Sequence, residues 1–118
     1  MSDHFDHLET RDLLVRARSQ FGLLPDLIRS AMTKAPGWVE HLKGVDAASV
    51  TSRAALAKLP VLRKSALKEL QTKAPPFGGF ATSAAGAMGR IMMSPGPIFE
   101  PEGRGDLDDA LAVPQRAK

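Results

Sequence analysis

Residues 75–103 read PPFGGFATSAAGAMGRIMMSPGPIFEPEG, and five prolines and six glycines fall among these 29 positions. That density excludes a long helix and predicts loops and turns around short strands. The best strand candidate inside the stretch is Arg90 to Ser94, where Arg90-Ile91-Met92-Met93 runs into a Ser94-Pro95-Gly96 loop. A strand entering a Ser/Gly/Pro loop is a common way to present backbone N–H groups to a phosphate. The strand is short, no second strand is evident beside it, and a lone strand is not stable. A fold built on it therefore needs partners.

Upstream the pattern is helical. Residues 1–9 are expected to be a flexible tail and residues 10–73 a helical region. Thr10 is the expected N-cap of the first helix, with Leu13, Leu14, Ala17 and Phe21 near helical spacing. Gly22 predicts a stop or kink, and Pro25 opens a new helical stretch carrying Leu24, Leu27, Ile28 and Met32. Pro36 and Gly44 bracket a short helix, Gly37 to Lys43, on which Trp38 and Leu42 share a buried face. Asp46 to Ser52 reads as a turn. Ser52 caps a helix over Arg53 to Lys58 that Pro60 ends, and Ser65 caps another over Ala66 to Thr72. Residues 74–103 form a loop-strand-loop segment and residues 104–118 a polar tail, with a helical turn or two expected between Asp106 and Ala112.

The chain has 118 residues and no cysteine, so one modest domain is the limit, and disulfides and thiolate metal sites are excluded. No apolar run approaches the length of a membrane span. The start, MSDHFDHLETRD, is polar and acidic, unlike a secretory signal or transit peptide, so a cytoplasmic location is expected. The net charge of +3 is unevenly spread: residues 44–90 hold seven basic residues against Asp46 and Glu69. That basic middle is either a solvated helix face or a patch for an anionic partner. Tyrosine is absent and tryptophan occurs once, so platforms for stacking bases are scarce and nucleic acid is not an expected partner.

Two ordered segments carry a family resemblance. Leu59-Pro60-Val61-Leu62-Arg63-Lys64-Ser65-Ala66-Leu67, followed by Pro76-Phe77-Gly78-Gly79, resembles the N-terminal part of phenylacetate–CoA ligase-like enzymes, within the AMP-forming acyl- and aryl-CoA synthetases of the adenylate-forming superfamily. Order and spacing are similar from about Thr10 to Gly103. The resemblance implies an α/β parent fold, of which this chain is a mostly helical fragment with one or two short strands. It also implies a parent reaction in which a carboxylate and ATP give an acyl-AMP and pyrophosphate, and CoA then displaces AMP. ATP, CoA and Mg are the parent's cofactors. None is expected for the isolated chain, which is read as inactive alone, with the remainder of the ligase as its expected partner.

The family's phosphate-binding loop reads Ser-Ser-Gly-Thr-Thr-Gly-Lys-Pro, and this chain has Ser94-Pro95-Gly96-Pro97-Ile98-Phe99-Glu100-Pro101 there. Ser94, Gly96 and Pro101 match, and Ser94 and Gly96 are the candidate phosphate contacts. Pro95 and Pro97 each remove a hydroxyl and an N–H donor, and Glu100 reverses the charge of the lysine. The adenine site, the ribose-binding acid and the catalytic lysine of such enzymes have no counterpart within 118 residues.

Other residues carry weaker signals. His4 and His7 have metal-like spacing if helical, but they lie in the expected tail. His41, Lys64 and the methionines Met88, Met92 and Met93 read as structural, and no catalytic residue or metal ligand is assigned. If the chain is a fragment, Phe77, Phe80, Ile91 and Phe99 are left poorly covered. The alternative is a small helical module whose basic segment, Arg53 to Lys73, binds a protein or nucleic-acid partner.

Overall fold

The computed structural model describes residues 3, 4 and 6–104. Their elements are α1 (Leu13–Lys34), α2 (Pro36–His41), a 3₁₀ turn at Ala47–Ser49, α3 (Arg53–Leu56), α4 (Lys64–Lys73), a 3₁₀ turn at Ala85–Ala87, and strands β1 (Arg90–Ser94) and β2 (Ile98–Glu102). The helical turns expected over 106–112 lie outside the described residues. The described chain divides into two compact units, one from the residues up to Arg29 with Val45–Leu59, the other from Ser30–Gly44 with the residues from Pro60 onward.

In the first unit, Asp12 rather than Thr10 opens α1. Its carboxylate accepts the N–H groups of Leu14 (2.9 Å) and Val15 (3.2 Å), whereas the Thr10 hydroxyl donates to the carbonyl of His7 (3.2 Å). A carboxylate both satisfies these free amides and favours the positive end of the helix dipole. The helix does not stop at Gly22 or restart at Pro25, because one continuous element runs through both. Proline forfeits a single hydrogen bond there, and the apolar row of Phe21, Leu24, Leu27 and Ile28 is in phase on either side of it. Ile28 and Val50 are buried, while Leu13 and Leu14 are largely exposed. Asp46 caps the 3₁₀ turn through the Ala48 N–H (3.1 Å), and Ser52 caps α3 through the Ala55 N–H (3.1 Å). The Arg53 guanidinium lies 5.9 Å from the Phe21 ring centre.

The second unit holds more of the buried chain. Pro36 sits in the first turn of α2, and Leu42 just after that helix is buried, with Trp38 half-buried. The Pro-Phe-Gly-Gly segment comes back onto this helix: the Gly37 N–H donates to the Gly79 carbonyl (2.8 Å), and the Trp38 and Phe80 rings meet edge to face with centroids 5.0 Å apart. The approach needs glycine at both points. Gly79 has φ +83°, and a Cβ on Gly37 would fall 2.9 Å from the Gly79 oxygen. Helix α4 begins at Lys64, one residue before Ser65, because extended Arg63 supplies the carbonyl that accepts from the Leu67 N–H (3.0 Å). Its cap therefore involves no side chain.

Strands β1 and β2 form an antiparallel hairpin, pairing Arg90 with Glu102, Met92 with Glu100 and Ser94 with Ile98. The partner that Arg90 to Ser94 lacked in the sequence is thus the very next segment. Pro101 is tolerated in β2 because its missing N–H would point away from β1. Phe77, Met88 and Ile98 are buried and Phe80 and Phe99 half-buried, so of the four residues expected to be uncovered only Ile91, 48% exposed, is so.

Candidate functional site

The sequence-derived candidates Ser94 and Gly96 lie at the hairpin turn. Ser94 is the last residue of β1, half-buried, and its hydroxyl donates to Oε1 of Glu100 at 3.1 Å. Gly96 has φ +153°, and a Cβ there would stand 3.2 Å from Cγ1 of Ile98. Between Ser94 and Ile98 only Gly96 has a backbone N–H, because Pro95 and Pro97 have none. A phosphate cradle is made of several converging N–H groups. This turn offers one, beside a hydroxyl already engaged with a carboxylate.

The hairpin is held on α4 by Gln71. Its Nε2 donates to the Phe99 carbonyl (2.8 Å), and its Oε1 accepts the Phe99 N–H (2.9 Å). Gln71 is 6% exposed, so this side-chain amide stands in for a neighbouring strand's peptide group along the outer edge of β2. Sequence reasoning passed over Gln71. The only available signal was a polar residue on the apolar side of α4, beside Leu67 and Leu70. At the open end of the hairpin, Arg90 and Glu102 form a bidentate ion pair of 2.7 and 2.8 Å. The hydrogen bond to Arg90 holds the Glu102 carboxyl below its usual range, and the same bond raises Arg90.

The remaining candidates are dispersed. His41 is half-buried against Trp38 (ring centroids 5.8 Å apart), with Nε2 2.9 Å from the Pro60 carbonyl. His4 and His7 are exposed, and Nδ1 of His4 is 3.4 Å from Glu9. Lys64 is exposed as the first residue of α4. Met88 is buried, whereas Met92 and Met93 are 56% and 69% exposed. Among the described residues no cluster of three His, Cys, Asp or Glu is placed to hold a metal, and no helix is long and apolar enough to cross a membrane.

No family model and no curated protein matches the chain. Solved structures of 2-hydroxyisobutyryl-CoA ligase do. The postadenylation state with R3-HIB-AMP superposes with a TM-score of 0.71 and 21% identity, over 92% of this chain and 24% of the ligase chain. The postadenylation complex with 2-HIB-AMP gives 0.67 and 23%, over 81% and 21%. The open conformation with 2-HIB-AMP and CoA gives 0.64 and 24%, over 79% and 20%. The chain therefore shares the fold of part of 2-hydroxyisobutyryl-CoA ligase, and it spans about a fifth to a quarter of the length of the structures it matches.

Proposed function

We propose that this chain is the N-terminal segment of an AMP-forming acyl- or aryl-CoA ligase and that it forms no CoA ester by itself. The observation that carries this reading is the shared fold, which covers 79–92% of the chain but only 20–24% of the ligase. The order of Leu59-Pro60 through Leu67 and then Pro76-Phe77-Gly78-Gly79 supports the narrower placement beside phenylacetate–CoA ligases. The sequence resemblance aligns the turn after β1 with the ATP phosphate loop of such enzymes, which would leave Ser94 and Gly96 as its contacts. Its chemistry supports weak phosphate binding at most: one N–H, one hydroxyl, and Glu100 in place of a cation. ATP, Mg and CoA then act only where the remainder of the ligase is present.

Incubating the purified chain with ATP, Mg, CoA and a panel of aryl and 2-hydroxy acids tests the second half of the proposal. No pyrophosphate release is expected, and release abolished by Ser94→Ala would overturn it. The first half is tested by translating the DNA that flanks the coding sequence.

A further inference from the structure

The two edges of the hairpin are not alike. On β2, Phe99 directs both its N–H and its C=O at Gln71, and Pro101, two residues on, has no N–H to offer. Groups that point at α4 point away from β1, so Met93 and Phe99 are a non-hydrogen-bonded pair of the antiparallel ladder, and by the alternation so are Ile91 and Pro101. Ile91 and Met93 must then turn their own N–H and C=O groups to the outer edge of β1. Among the described residues no hydrogen bond reaches that edge. The side chains along it are apolar and open, with Ile91 48%, Met92 56% and Met93 69% exposed. An exposed apolar edge of this kind is a template for another strand.

We propose that the edge of β1 pairs antiparallel with β1 of a second copy of this chain, about a two-fold axis at Met92. In that register Ile91 meets the other copy's Met93, and the outward N–H and C=O groups of the two exchange four hydrogen bonds. Met92 meets its own counterpart, and the hairpins join into a four-stranded sheet in the order β2-β1-β1-β2. The charges match. Arg90 is the only charged residue of β1 and falls opposite the other copy's Ser94, whose hydroxyl holds the Glu100 carboxylate at 3.1 Å. No like charges face each other, and each Arg90 gains an acceptor beyond Glu102. The inference stands on the edge geometry and not on the ligase reading.

Cross-linking tests both the pairing and its register. The chain has no cysteine, so a single one reports cleanly. Met92→Cys places two thiols at a non-hydrogen-bonded pair, with Cα atoms about 4.5 Å apart and within disulfide range. Ile91→Cys and Met93→Cys place like residues about 9 Å apart on the diagonal, outside that range. Under oxidised glutathione, Met92→Cys is expected to form a covalent dimer about tenfold faster than either neighbour. Sedimentation velocity of the unmodified chain should show a monomer–dimer equilibrium in the micromolar range. Met93→Pro should abolish it, since it removes only an outward N–H and leaves the hairpin paired. A chain that stays monomeric, or cross-linking with no preference for position 92, overturns the proposal. Pairing of the edge with a strand of some other polypeptide would appear as that monomeric result.

Discussion

Gln71 shows how a single side chain sets the position of the hairpin. It is buried and polar, which is tolerable only because both ends of its amide are used. Gln71→Leu keeps the volume and leaves the Phe99 N–H and C=O without that partner. The expected loss is about 1–3 kcal/mol in denaturant unfolding. Gln71→Glu should recover part of this, since a carboxylate accepts from the N–H but cannot donate to the carbonyl. If Gln71→Leu unfolds at the same denaturant concentration as the parent, the amide is not what holds β2. The sequence marks position 71 only as a polar residue on the apolar side of α4, and it hides the role because the partner is 28 residues away and bonded through its backbone. Glu100 was partly legible. Its charge against a phosphate could be read directly, but its contact with Ser94 required the hairpin register.

Among the elements, those fixed by local chemistry were the readable ones. Ser52 capping α3, Asp46 opening a turn and Pro36 starting α2 each depend on neighbours within a few residues. The long α1 was missed because Gly22 and Pro25 are local breakers, and here tertiary context overrides a propensity of a few kcal/mol at most. Strand β2 carries no period of its own and shows only as the pairing partner of β1. Glycine at position 22 meets no atom within 4 Å of a Cβ, so Gly22→Ala should raise the stability of α1 by about 0.5–1 kcal/mol. Gly37→Ala should do the reverse, since its Cβ would stand 2.9 Å from the Gly79 oxygen. Thermal melts moving in the same direction for both variants would contradict this account of the α2 contact. The hairpin also carries a pH dependence. Glu102 ionises more readily when folded, because of its hydrogen bond to Arg90. Its contribution is complete above the usual carboxylate range and is lost as pH falls below about 4. Arg90 is raised, so its own share persists at all but strongly alkaline pH. Arg90→Met should flatten the acid limb of a stability–pH curve, and an unchanged limb would show that the pair contributes nothing there.

For the whole molecule, the two ordered sequence segments pointed to acyl-CoA ligases, and the shared fold agrees at that level. The sequence could be read this far because Pro60 through Leu67 and the Pro-Phe-Gly-Gly turn sit where the second unit is built: α4 begins at Lys64, and the turn closes on Gly37. The phosphate site was less legible, because two prolines and Glu100 replace the groups that would identify it. The central claim is that this chain is the first part of a ligase. Translating the DNA on both sides of the coding sequence, in all frames, tests it most directly. The account predicts that the sequence after the Lys118 codon encodes the adenine-site and C-terminal lysine segments of an adenylate-forming enzyme, in the same frame, a shifted one or a separate gene. Flanking DNA that encodes only unrelated proteins would contradict it.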